Sequence, residues 1–332
     1  MFETIFNLLA TSTAITETGV TINAYHKDAT PTTDAEKELY TAINTKYCND
    51  SSTDRLLIDM IVFNLTADSA PSAKEAVLLK VDALKRLYNE AGEDAVIKTA
   101  AENIKYALYI KDQANDTANS LGKYENIKDR LILRPLNYNS NASKLDGCIY
   151  NKIGDIALTL YAIVLDDQEN GILNTIKVPE NIVETWDKTT EEVLTNALEN
   201  TNRIYKPRLY TNIFDIDSTP IKNCALMETG YAVTELNSNS VTLLTTDRKT
   251  NGAIAAFLPG VLDRISKLYG NSDFYIAFTS IHEAMIHKHG SIEPAAIKRN
   301  VTETNRIFGG DDTLSNKVWL YSAETKELTA IL

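Results

Sequence analysis

The chain has 332 residues, 44% of them hydrophobic and 23% charged, and 45 acids against 33 lysines and arginines leave a net charge of −12. That composition excludes bulk disorder, and the negative charge opposes non-specific attraction to nucleic acid or anionic lipid. No apolar run reaches the roughly 18 residues of a membrane span, and the opening "MFETIFNLLATSTAITETG" lacks the basic start of a secretory signal, so a cytoplasmic protein is expected.

From about residue 34 to 128 the dominant period is helical. "SSTDRLLIDMIVFNLTAD" reads as a short, continuously apolar helix. "SAKEAVLLKVDALKRLYNEAG" has a capping-box spacing at Ser72 and Glu75, an apolar stripe of Val77, Val81, Leu84 and Tyr88, and a stop at Gly92. "EDAVIKTAAENIKYALYIKDQAND" repeats the pattern with Ile97, Ala100, Ile104 and Ala107. A mainly helical module over residues 1–125 is therefore expected.

After about residue 128 the period becomes strand-like. "DRLILRPLNY", "DIALTLYAIVLDD" and "GILNTIKV" are successive short strands that favour antiparallel pairing. Thr189 and Glu192 form a second capping-box spacing ahead of the apolar face Val193, Leu194, Ala197 and Leu198. "SVTLLTTDRKTNGAIAAF" reads as a hairpin turning near Asn251-Gly252, Pro259 opens a helix that Gly270 ends, and "DFYIAF" with "EAMIHK" forms a strand pair. A helix over "SIEPAAIKRNVTETNRIF" and a closing hairpin over "KVWLYSAETKELTAIL" complete the chain. Strand pairs separated by single helices predict an α+β domain over residues 126–332, so the whole is α+β with a helical N-terminal module.

The three cysteines, Cys48, Cys148 and Cys224, are an odd number of widely spaced residues, which suits reduced thiols better than a disulfide framework. "SIHEAMIHKHG" nearly spells the zinc-protease signature, but His282 and His287 are five apart, about 140° round a helix where two ligands four apart lie about 40° apart. The segment reads instead as a strand and its turn, and no metal is expected there. "FDIDST" carries the pattern of a phosphatase in which Asp215 would attack phosphorus and Asp217 would serve as acid and base, without the βαβ alternation that such a site needs. "GGDD", residues 309 to 312, fits a turn after a helix, and no glycine-rich phosphate loop is present, so no cofactor is expected. Trp186 and Trp319 read as core or rim residues.

The ordered blocks "YENIKDRLILRPLNY", "IGDIALTLYAIV", "ETWDKTTEEVLTNALENT", "NGAIAAFLPGVLDRISKLYGNSDFYIAFTSIHEAMI" and "TNRIFGGDDTLSNKVWLY" resemble an uncharacterised bacterial family, a domain of unknown function, over roughly residues 124–325. The resemblance implies an intracellular protein with a small mixed α/β start, which makes the helical first third look divergent or replaced. It supplies no activity and no catalytic residue. Its S-[IV]-H-E motif falls on Ser280, Ile281, His282 and Glu283. The leading expectation is a non-enzymatic protein-interaction protein with a protein partner. The alternatives are a hydrolase with a site around Ser280, His282 and Glu283, in which His282 is acid or base and Glu283 orients it or serves as a ligand, or a phosphatase using Asp215 and Asp217.

Overall fold

The computed structural model describes residues 1–66, 75–169, 171–211, 224–228, 236, 242–308 and 312–332, and divides the chain into two compact units, Met1–Asn115 and Asp116–Leu332. Together they are α+β, built on antiparallel sheets.

The first unit is built round a three-stranded antiparallel sheet, β1 (Thr21–Tyr25), β2 (Met60–Asn64) and β3 (Ala76–Lys80), with β2 in the middle. Ile61 and Phe63 project from one face of β2 onto Ile5 and Leu9 of the helix Phe2–Thr11 and onto Val96, Ala100 and Ile104 of a long helix. Met60 and Val62 project from the other face onto Leu39, Tyr40 and Ile43 of the helix Asp34–Cys48. A central strand covered on both faces needs apolar residues at every position, which removes the alternation that would mark it as a strand. That is why "MIVFN" reads as helix in the sequence and is β2 in the structure. The capping-box reading fails similarly: Ala76–Lys80 is strand β3, and the helix begins only at Val81. Ser72 lies outside the described residues. The stop at Gly92 is real, since its φ of 82° and ψ of −173° interrupt the helical stretch Val81–Ser120, and Val96, Ala100 and Ile104 form the buried stripe beyond it.

In the second unit β4 (Leu131–Asn137), β5 (Tyr150–Ile153), β6 (Ile156–Asp167) and β7 (Ile172–Lys177) form a four-stranded antiparallel sheet. β6 pairs with β4 along one edge and with β5 and then β7 along the other. β5, four residues that follow the polar stretch at 139–147, is too short to announce itself as a strand in the sequence. The helix Thr190–Ile204 lies against β4 and opens on the expected capping box of Thr189 and Glu192. Its Thr201 accepts the Leu133 N–H at 2.9 Å, and Asn200 donates to the Leu131 carbonyl at 3.0 Å.

The second sheet holds β8 (Pro207–Tyr210), β9 (Thr242–Thr246), β10 (Phe274–Ala277), β11 (Ala284–Lys288), β12 (Val318–Tyr321) and β13 (Leu328–Ala330) in the order β13-β12-β10-β11-β9-β8, antiparallel throughout. One face carries Tyr275, Ala277 and Val318 onto Ile297 and Val301 of the helix Pro294–Phe308. The other carries Phe274, Ile276, Ile286 and Trp319 into the large core shared with Leu133, Leu158 and Leu160 of the first sheet.

The expected hairpin at Asn251-Gly252 is absent. β9 pairs with β8 and β11, and Gly252–Phe257 is a 3-10 turn whose first five residues are buried. Small apolar side chains let that turn wedge against both β4 and β9. The helix after Pro259 runs from Val261 to Leu268. Trp319 joins the sheets at a second point: its ring closes over the β5–β6 turn, where a Cβ on Gly154 would lie 2.6 Å from it. Its indole donates at 3.2 Å to Ser315 Oγ, which lies 3.0 Å from the buried Asp155 carboxylate.

Candidate functional site

The S-I-H-E segment is the connection between β10 and β11. Its tightness follows from a short-range bond: the His282 N–H donates to Ser280 Oγ at 3.0 Å, a serine turn of the kind that holds short polar loops. Ser280 is buried, and its oxygen accepts this bond. Glu283 accepts from the hydroxyl of Thr279 at 3.3 Å.

His282 binds outward from the turn. Its Nδ1 accepts the main-chain N–H of Asn251 at 3.0 Å, which places the proton of the neutral ring on Nε2. Nε2 faces Asp312 Oδ1 at 3.7 Å, beyond hydrogen-bond length, and the side chains there are 38% and 50% exposed. The main chain is held as firmly: Thr245 donates to the His282 carbonyl at 2.8 Å, the Ala253 N–H to the Ile281 carbonyl at 3.2 Å, and the Ile281 N–H to the Asp312 carbonyl at 2.8 Å. Gly252 packs so close to Thr245 Oγ1 and the His282 carbonyl that a methyl group there would overlap both. Asn251 itself stands at φ 54°, a left-handed position that asparagine tolerates.

The three candidate residues are thus brought together, but not as a nucleophile, base and orienting acid. Ser280 Oγ meets the His282 main chain instead of its ring, and the bond of Glu283 runs to Thr279. None of the three lines any of the four principal cavities among the described residues. His287 sits on β11 opposite Tyr275, where burial lowers its pKa, and the His289 ring lies 5.1 Å from that of Tyr275. Among the described residues no three His, Cys, Asp or Glu side chains converge as a metal-binding group. Asp215, Asp217 and the Gly309–Asp311 part of "GGDD" lie outside the described residues. None of the three cysteines is in a disulfide, and burial pushes the Cys148 thiol up, away from the reactive thiolate.

Sequence reasoning passed over a second constellation. Asn251, whose N–H meets His282, accepts through its side chain from Arg134 Nη2 at 3.1 Å. Arg134 Nη1 donates to Thr175 at 2.8 Å, and the guanidinium lies 4.7 Å from the centre of the Tyr161 ring. Arg134, Arg248, Tyr205 and Thr175 line one cavity of about 140 Å³. Arg134 on β4, Thr175 on β7, Tyr205 after the helix Thr190–Ile204 and Arg248 after β9 meet only through the fold, so no local spacing announces them.

No helix among the described residues is long and apolar enough to cross a membrane. Comparison with curated proteins and with solved structures gives no match. Residues 73–323 match the model of DUF5688, a family of unknown function, and the match begins inside the N-terminal unit, taking in β3 and the long helix that follows. That part of the first third is therefore neither divergent from the family nor replaced: the chain belongs to the DUF5688 family.

Proposed function

We propose that the chain is a non-enzymatic intracellular interaction protein that works by binding a protein partner. The observation that supports this reading is the use of the S-I-H-E side chains: Ser280, His282 and Glu283 spend their hydrogen bonds on Thr279, Asn251 and their own main chain. A catalytic base must reach a proton on a bound substrate, and a nucleophile must face that base. His282 accepts a main-chain N–H through one nitrogen, so it serves as a clasp between two loops.

The test is recovery of the tagged chain from its native host after mild cross-linking. The expected result is a stoichiometric protein partner and no stoichiometric metal. A clean monomer at both low and high salt would sink the proposal. So would a hydrolytic activity towards simple esters or phosphomonoesters that disappears in a folded His282→Ala variant.

A further inference from the structure

We propose that the cavity between Arg134 and Arg248 is a binding site for a compact oxyanion of the phosphate class, a site separate from any protein-docking surface.

The polar groups of the cavity lack what burial demands. Among the described residues Arg134 has only neutral hydrogen-bond partners, Thr175 and Asn251, and its buried Nε–H has no acceptor. Arg248 donates through Nη2 to Asp166 Oδ2 at 2.8 Å, while its Nε–H and Asp166 Oδ1 are buried without a partner among the described residues. Tyr205 is 1% exposed, and its hydroxyl has no partner among the described residues. Asp166 and, further out, Asp247 face these two guanidinium groups, but the carboxylate bond goes to Arg248, and Arg134 has no carboxylate among its hydrogen-bond partners in the described residues. Burying an ion without its counter-charge, and donors without acceptors, is strongly unfavourable, so a chain that keeps three such groups on residues lining one cavity gains from an anion that small side-chain shifts there could meet.

Size and number of donors point to the class. A cavity of about 140 Å³ has room for several heavy atoms but not for a large ligand. Two guanidinium edges and a phenol, arriving from separate elements, suit an oxyanion with acceptors on several sides better than a planar carboxylate, which one guanidinium fork can satisfy. The approach is basic too. An outer cavity of about 520 Å³ shares Gly171 and Arg248 with the inner one and is lined by Arg203 and Lys206, opposed there by Asp247. Arg203 also donates to neutral atoms, the Asp129 carbonyl at 3.2 Å and Asn200 Oδ1 at 3.1 Å. Such a cluster in a chain of net charge −12 is a local reversal of sign that would draw an anion inward.

The geometry also gives the S-I-H-E turn a task in this site. His282 holds the Asn251 N–H, and Asn251 holds Arg134 Nη2. His282 is thereby a positioning residue for one wall of the cavity, with no contact to the ligand.

The proposal is tested with the full chain in phosphate-free buffer, by calorimetric titration with inorganic phosphate and, in parallel, with glycerol phosphate at constant ionic strength. The expected result is saturable one-to-one binding of at least one of the two. Arg248→Gln should weaken it about tenfold and Tyr205→Phe by a smaller factor, while Lys98→Gln, an exposed site in the other unit, should leave it unchanged. Tighter binding of the ester would assign the outer cavity to the remainder of the ligand, and equal or tighter binding of inorganic phosphate would assign the free ion. Absence of saturable binding by either at millimolar concentration overturns the proposal, as does binding that both cavity variants leave unchanged. Tyr205→Phe keeps the packing of the ring, so the test survives if Arg248→Gln does not fold.

Discussion

The S-I-H-E turn and the arginine-lined cavity lie on either side of one residue, Asn251, and they treat polar atoms in opposite ways. In the turn, the hydroxyls of Thr245, Thr279 and Ser280 and the acceptor nitrogen of His282 each have a partner, two of them from main chain far along the sequence. In the cavity, Arg134 Nε, Arg248 Nε and the Tyr205 hydroxyl have none among the described residues. Saturated polar groups with long-range main-chain partners stabilise a fold, whereas buried unsaturated ones are tolerated where something else completes them. On the reading proposed above, the residues that look catalytic in the sequence serve the fold, and the residues proposed to meet a ligand are ordinary-looking arginines and a tyrosine.

The largest disturbance of that contrast comes from the contact that ties the turn to β9. Gly252→Ala puts a methyl group onto Thr245 Oγ1, the His282 carbonyl and the Thr246 nitrogen, the last at 3.0 Å. Most of these atoms are main chain or a buried threonine already hydrogen-bonded, so nothing flexible can yield. A loss of about 3 kcal/mol is expected, read from the midpoint of urea unfolding. A variant as stable as the parent would show that the 3-10 turn can move away from β9 and that the clasp is loose.

The next effect separates a structural His282 from a chemical one. His282→Ala removes the acceptor of the Asn251 N–H and should cost about 1–2 kcal/mol. His282→Asn can present its side-chain oxygen near the former Nδ1 and should recover most of that, while His282→Gln, longer by a bond, should recover less. Urea midpoints of the three variants give the order. If all three lose equal stability, the bond to Asn251 contributes nothing of its own.

Legibility in the sequence follows the range of the forces involved. The capping box of Thr189 and Glu192, the break at Gly92 and the closing hairpin of β12 and β13 are decided by residues a few positions apart, and all are readable in the sequence. β2 and β3 are not, because a strand covered on both faces has no alternation, and "AVLLKVDAL" satisfies a helical stripe across a strand–helix junction. Asn251-Gly252 is legible as a turn, but its partner is not: the sequence suggests a local hairpin, whereas the contact runs to His282, 31 positions on. The cavity is the extreme case. Its walls include residues 134, 175, 205 and 248, and what identifies 134, 205 and 248 is a polar atom without a partner among the described residues after folding, a property no spacing encodes.

A smaller effect probes the far end of the same histidine-rich segment. Burial holds the pKa of His287 below its ordinary 6.5, so the folded state resists protonation where the unfolded chain accepts it. Above that unfolded value both states are neutral and the contribution is complete. As pH falls through 6.5 towards the lower folded value, the unfolded state takes up the proton first and stability declines. His287→Phe should flatten this part of the stability profile between about pH 7.5 and about pH 5.5. An unchanged slope would place the pH dependence on other groups.

The smallest expected change is the most pointed, because it reverses the usual sign of losing a buried polar group. Tyr205→Phe deletes a hydroxyl that is buried and unpartnered among the described residues, and burial already pushes the pKa of that phenol up. Desolvating a hydroxyl without a partner is a cost that phenylalanine does not carry, while the ring, 1% exposed in the main core, keeps its packing. In phosphate-free buffer the variant should therefore match the parent within about 0.5 kcal/mol or be slightly more stable. With phosphate present the order should invert, since the parent alone offers the phenol to the anion, and ligand bound only by the folded state raises its stability. A loss of about 2 kcal/mol without phosphate would mean that the hydroxyl is satisfied within the chain after all, and the contrast between the saturated turn and the unsaturated cavity would fail at its clearest atom.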